Sequence, residues 1–173
     1  MKSRPVLYIF AGLPGSGKST LAQAASAQLG ALYLRIDTIE QALRDLCGYE
    51  VEGEGYRLGY RIAADNLRIG QSVIADSCNP LAITRREWEE VARREHSGYV
   101  NIEVCCSDHD EHKKRVESRS SEIPGLKLPT WIEVKDREYH DWTSDRIVID
   151  TAGKSPAQSS QALLSQLRID IKH

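Results

Sequence analysis

Gly12-Leu13-Pro14-Gly15-Ser16-Gly17-Lys18-Ser19-Thr20 gathers three glycines, three hydroxyls and a lysine into nine consecutive residues. That assortment suits phosphate. Glycines let successive backbone N–H groups converge on phosphate oxygens, and a helix starting directly afterwards adds the positive end of its dipole. Lys18 is then placed to reach β- and γ-phosphates, and the Ser19 hydroxyl to ligate Mg²⁺. Gly12, Gly17, Lys18 and Ser19 fill the fixed positions of GxxxxGK[ST], the phosphate-cradling P-loop. The flanks agree: Val6 to Ala11 is a continuous apolar run, and Leu21 to Leu29 has an alanine-rich helical pattern. The expected ligand is a nucleoside triphosphate, held by Gly12, Pro14, Gly15, Ser16, Gly17, Lys18, Ser19 and Thr20.

Further candidates stand where other apolar runs end. Asp76 closes Val73-Ile74-Ala75 in the form of a Walker-B acid, so Ser19 and Asp76 are the expected magnesium ligands. Asp37 follows Ala31 to Ile36. It can cap the next helix, with Glu40 completing a capping box, and it can also take the proton from an attacking hydroxyl. Arg44, on the same helix, is placed to hold the acceptor. Asn79 and Arg85, with Arg86 beside it, follow Asp76 near the binding end and are further substrate candidates.

Arg115 and Arg119 stand one helical turn apart and lead into Ser121 to Pro129, a loop with two prolines and a glycine. As a lid they would close over the transferring phosphoryl group. The plainer alternative is a solvated face paired with Glu111, Glu117 or Glu122. Lys114 is a weaker candidate on that helix. Asp150-Thr151-Ala152-Gly153 spells a GTPase switch motif, but no NKxD accompanies it. It reads instead as the turn after the last strand, with Thr151 and Gly153 against a nucleobase, adenine before guanine.

The elements that must position these residues alternate strand and helix. Helices are expected from Lys18 to Leu29, Asp37 to Cys47, Tyr56 to Arg68, Asn79-Pro80 to Glu95, and Asp108 to Ser118. Thr130 opens a helix carried towards Trp142, and Ser155 caps the last one. Strands are expected at Val6 to Ala11, Ala31 to Ile36, Ser72 to Ala75, Val100 to Cys106 and Arg146 to Ile149. The class is α/β with a five-stranded parallel sheet, whose ligands bind at the carboxyl ends of the strands. Residues 1–173 are expected to form one P-loop domain with a lid over roughly 112–130.

Bulk properties exclude several classes. Of 173 residues 40% are hydrophobic and 28% charged, as in a soluble globular chain. A net charge of −2 exerts no overall pull on nucleic acid or anionic lipid, and no apolar run approaches a membrane span. The basic-then-apolar start leads straight into the P-loop, so it reads as a strand and not a signal peptide. Four cysteines, Cys47, Cys78, Cys105 and Cys106, show no CxxC spacing and are expected reduced, in the cytoplasm. His109 and His112 lie one turn apart without a third metal ligand.

Taken together, the P-loop, Asp37, VIADSCNP, the RVESR helix and IVIDTAG resemble the small P-loop kinases. These include gluconate kinase, shikimate kinase, chloramphenicol phosphotransferase, zeta-toxin kinases and the polynucleotide 5′-kinase domain. VIADSCNP…TRREW and CSDHDEHKKRVESR look most like the AAA_33-type branch of that group. The resemblance implies a three-layer fold with strand order 2-3-1-4-5 and helices on both faces, and ATP with Mg²⁺ as donor. It implies Gly15 to Thr20 on the phosphates, Asp37 as base, and Lys18, Arg115 and Arg119 as catalytic cations. The chain departs from the group in lacking a shikimate-type GGG motif and in its acidic loop, Glu50, Glu52 and Glu54. The expected activity is transfer of the γ-phosphoryl group to a hydroxyl of a small molecule. A polynucleotide 5′-hydroxyl kinase is the alternative, disfavoured because strand binding wants a basic groove with stacking aromatics and the chain has one phenylalanine. A non-catalytic or slowly hydrolysing NTP switch is an alternative of another class.

Overall fold

Alternation along one strand sets up both cores of the molecule. The computed structural model describes residues 4–170, with side chains through 167. In β1 (Val6–Ala11), Tyr8 and Phe10 enter one apolar cluster while Leu7 and Ile9 enter another. A strand apolar on both faces belongs in the middle of a sheet. Accordingly β1 pairs on one side with β3 (Val73–Asp76) and on the other with β4 (Gly98–Cys105), all parallel. β2 (Leu32–Arg35) adds outside β3 and β5 (Ile147–Asp150) outside β4, giving the order β2-β3-β1-β4-β5.

Helices cover both faces. α1 (Lys18–Leu29) and α7 (Pro156–Asp170) supply Leu21, Ala22, Ala25, Leu163 and Leu167 to the Phe10 side. α3 (Glu54–Arg68) and α4 (Ala82–Arg94) supply Ala63, Leu67, Trp88 and Ala92 to the Ile9 side. α2 (Ile36–Cys47) contributes Ile36 to that same layer. α5 (His109–Ser118) and the short α6 (Trp131–Lys135) lie beyond the carboxyl end of β4. Class, strand number and strand order are those expected from the sequence.

Several helix starts differ from expectation for local reasons. β2 passes to α2 without a loop, so Arg35 is the N-cap, Asp37 stands inside the first turn, and no side chain caps the helix. The capping box expected at Asp37 and Glu40 is absent. α3 begins at Glu54 because that side chain folds back to accept the N–H groups of Glu52 and Gly53. This gives one acid of the acidic loop a structural task. Asn79 is left-handed (φ 50°), and α4 starts only after Leu81, so Asn79 and Pro80 precede the helix. The boxes at Thr130 and Ser155 do form. After Thr130, however, the helix stops at Lys135 and does not continue to Trp142.

Trp88 is the largest fully buried side chain, set edge-on to Tyr60 with ring centroids 4.5 Å apart. Trp88→Ala is expected to cost about 3–5 kcal/mol, read as a lowered urea midpoint with little change in slope.

Candidate active site

The P-loop takes its shape from what it cannot accommodate. Gly12 has φ 149°, and a Cβ there would run into the Val104 carbonyl oxygen. Gly15 has φ 84°, and its missing side chain is replaced by Val116, whose Cγ2 lies 2.6 Å from where a Cβ would be. The loop is tied at three further points. Gly12 N–H donates to the Cys78 carbonyl at 3.0 Å. The Thr151 hydroxyl lies 2.7 Å from the Ser16 carbonyl, and His112 Nε2 lies 2.9 Å from the Pro14 carbonyl. α1 then begins at a left-handed Gly17 with no side-chain cap, leaving its first N–H groups directed at the loop.

Lys18 is nearly buried, and its Nζ lies 2.5 Å from Asp76 Oδ1. Tyr33 donates its hydroxyl to Asp76 Oδ2 at 2.6 Å. Burial alone would raise the Asp76 carboxyl. The Lys18 charge and hydrogen bonds from Lys18, Tyr33 and Ser19 outweigh it, so the group sits below its ordinary value. Burial and the Asp76 charge push the Tyr33 phenol up. Ser19 and Asp76 together offer hard oxygen donors beside the loop, a set that fits magnesium. Among the described residues no group of three or more His, Cys, Asp and Glu could hold a metal.

Two spaces adjoin the loop. The larger, about 460 Å³, is lined by Gly12 to Thr20, Asp37, Glu40, Arg44, Arg119, Ser120 to Glu122 and Leu126 to Pro129. The smaller, about 280 Å³, lies between Gly17, Thr20 and Leu21 and Thr151, Lys154 and Pro156. Arg115 borders both. It donates to the Thr151 hydroxyl at 2.7 Å and carbonyl at 3.0 Å, and it pairs with Glu111 at 2.5 Å. Glu111 in turn accepts the Gly153 N–H. The expected arginine pair therefore divides: Arg115 is fixed beside Thr151, whereas Arg119 lines the larger space within reach of the Asp37 charge.

In the larger space Asp37 has no hydrogen bond or ion pair with any described residue. Arg44 pairs with Glu40 at 3.6 Å. Burial and the Asp37 charge raise the Glu40 carboxyl, with Arg44 opposing. Arg35, Cys78 and Arg137 also line this space, as do Gln23, Glu122 and Lys127. Apart from Cys78, which stands in the strand-end run Asp76 to Asn79, none of these was singled out for chemistry from the sequence. Arg35 was within reach of the rule that strand ends carry function, since it is the last residue of β2 and the register partner of Asp76. Arg137 had no local signal, because it arrives from beyond α6.

Two substrate candidates lie elsewhere. Asn79 is fully buried, accepts the Thr84 hydroxyl and takes the Tyr56 hydroxyl on its N–H. Arg85 is 3% exposed and spends its guanidinium on the carbonyls of Asn79, Pro80, His140 and Asp141. It stacks on Trp142 at 4.1 Å and Tyr139 at 4.8 Å, so it clamps the 139–142 segment to α4. Burial lowers its pKa.

The fold and the phosphate cradle define the class: this is the P-loop fold of the small kinases. The chain belongs to the AAA_33 family, whose AAA-domain model matches residues 7–129. No curated protein gives a significant match. Among solved structures the chain is similar to the APS kinase of Mycobacterium tuberculosis in complex with AMPPNP and APS. The two share 19% identity over 95% of this chain and 98% of that one, with a TM-score of 0.72. A gluconokinase from Sinorhizobium meliloti 1021 is similar at 16% identity, 98% and 95% coverage and TM-score 0.70. A sugar kinase from Janibacter sp. HTCC2649 follows at 17%, 96% of each chain and 0.66. At these identities the likeness is one of fold. Among the described residues no helix is long and apolar enough to cross a membrane.

Variants at two residues separate structural from functional roles. Arg85→Ala is expected to lose about 3 kcal/mol or more in denaturant, because buried carbonyls lose their donor, with acceptor KM unchanged. Unchanged stability with a raised acceptor KM would instead make Arg85 a substrate contact. His112→Ala is expected to weaken ATP binding about five- to tenfold by freeing the Pro14 carbonyl, and His112→Asn to recover part of that loss. Equal loss in both would mean that the imidazole acts through volume alone.

Proposed function

We propose that the chain is an ATP- and magnesium-dependent phosphotransferase that moves the γ-phosphoryl group to a hydroxyl of a small molecule. The observation that carries this reading is the unpartnered carboxylate of Asp37, lining the same cavity as the P-loop lysine. A carboxylate held free of partners beside a phosphate cradle is equipped to accept the proton of an attacking hydroxyl. A switch module has no need of such a group. The cavity volume of about 460 Å³ suits a small acceptor, and Ser120 to Glu122 with Leu126 to Pro129 form part of its wall.

The residues divide the work as follows. P-loop amides and Lys18 hold the β- and γ-phosphates in line with the acceptor. Ser19, directly, and Asp76, through water, would hold Mg²⁺, which when bound neutralises charge on the phosphates. Asp37 takes the hydroxyl proton. Arg119 offsets charge that develops on the transferred group. Arg115, fixed by Thr151 and Glu111, borders the base and ribose of the nucleotide, with Thr151 forming the floor of the smaller space. Of the expected lid, residues 112–130, the part from Arg119 onward acts as the lid, while residues 112–118 of α5 stay on the P-loop as its brace.

ATP with Mg²⁺ at a hundredfold excess over Kd is expected to add about 2.7 kcal/mol of stability, seen as a raised Tm. Asp37→Asn is expected to lower kcat at least about a hundredfold. Its Tm is expected to fall modestly, because Asp37 is the one charge that favours the Arg119 cation, and a retained ATP-induced rise in Tm shows that the fold and donor site are intact. Full activity in that variant would remove Asp37 from the chemistry. Lys18→Ala alone is ambiguous, since it strands the buried Asp76 charge at a cost of about 3–5 kcal/mol. Lys18→Ala with Asp76→Asn is expected to regain stability while transfer stays abolished, measured as ADP release against a panel of alcohols.

A further inference from the structure

Along the wall of the larger cavity basic side chains outnumber acidic ones seven to three, in a chain whose net charge is −2. The donor end accounts for part of the excess. Lys18 is bonded to Asp76, and Arg115 to Glu111 and Thr151. Arg44 has Glu40. The remaining guanidiniums, Arg35, Arg119 and Arg137, line the cavity together with Asp37, and the charges of the other three all act on Arg119.

Their bonding is incomplete. Arg119 and Arg137 form no ion pair with any described residue, and Arg137 reaches only the Cys78 sulfur at 3.6 Å. The Nε–H groups of Arg35 and Arg119 are buried without an acceptor. Burial lowers the Arg119 pKa, the charges of Arg137 and Arg35 lower it further, and Asp37 alone opposes them. Gathering like charges in this way costs stability unless an anion joins them. Asp37 and the exposed Glu122 still leave three guanidiniums one negative charge short, and a base must also keep a lone pair open to the hydroxyl. The chain itself shows what such a group looks like: Glu122 places a carboxylate oxygen 3.3 Å from Arg35 and 3.4 Å from Gln23.

Resting on the kinase reading above, we propose that the acceptor alcohol carries its own oxyanion, a carboxylate or phosphate, received by Arg35 and Arg137 beside Arg119. This contact would turn the hydroxyl towards Asp37 and neutralise the arginine cluster in one event. Planar guanidiniums suit both kinds of oxyanion through paired N–H bonds.

The test keeps the donor site filled. With Mg²⁺ and AMPPNP saturating, sulfate and inorganic phosphate are titrated calorimetrically into wild type, Arg35→Ala, Arg137→Ala and Glu122→Gln. Wild type is expected to bind one oxyanion. Each arginine variant should weaken it at least tenfold while AMPPNP affinity moves less than twofold, and Glu122→Gln should tighten it by freeing Arg35. No saturable binding once AMPPNP is in place, or binding indifferent to both arginines, overturns the proposal and leaves the cluster to the nucleotide phosphates. In parallel, ADP release is compared for glycerate against glycerol and gluconate against glucitol. The charged member of at least one pair is expected to have a tenfold or greater advantage in kcat/KM. Preference for the neutral members sinks the oxyanion site and leaves the kinase reading intact. Oxyanion binding that depends on Arg35 and Arg137, with no ADP release from any alcohol, sinks the kinase reading and leaves the site.

Discussion

The ion pair between Lys18 and Asp76 is the constraint on which the rest depends. It joins the first residue of α1 to the last residue of β3, with the Asp76 carboxylate fully buried and Lys18 nearly so. Such a pair is a poor source of net stability, since desolvation consumes most of the attraction. Its value is positional. Tyr33 on the second Asp76 oxygen leaves the carboxylate one orientation, and the lysine is then parked at the mouth of the phosphate cradle. A cation held this way needs little reorganisation when a charged ligand competes for it.

Around that pair the carboxyl ends of the strands converge on one loop. Cys78 after β3 takes a P-loop N–H, Thr151 after β5 meets a P-loop carbonyl, and α5 beyond β4 presses His112 and Val116 on the loop from above. Trp131 of α6 lies edge-on to His112 and His109, with centroids 5.2 and 4.9 Å away. The cradle is thus braced by segments far apart in the chain. At Gly12 and Gly15 the chain takes positive φ values that glycine adopts freely and that leave room for these braces.

Much of this was readable from residue order because it is local or periodic. The P-loop is contiguous, and β1 declares its central place through apolar residues on both faces. Asp76 ends an apolar strand at a site that strand topology marks for ligands. What escaped was long-range. Arg85 looks like a binding residue by position, yet four carbonyls and two aromatic rings claim it, and nothing near it in sequence announces His140 or Trp142. Asp37 matched a capping box, but a strand that runs into a helix without a turn leaves no residue outside to act as the cap. Arg137 reaches the cavity only because α6 ends after five residues and lets the chain turn back.

That direct passage from β2 into α2 has a further consequence. Arg35 and Asp37 share one corner of the framework, braced by the sheet on one side and by a helix on the other. The opposite wall is irregular chain, from Arg119 through Pro129, with Gly125 resting on Gln41 and Asp45. The proposed base and one of the arginines proposed to hold the acceptor are therefore mounted together on the rigid framework. That corner can stay as it is while the loop opposite is rewritten, so exchanging about a dozen surface residues would re-tailor the fit around an acceptor without moving the groups proposed to orient it.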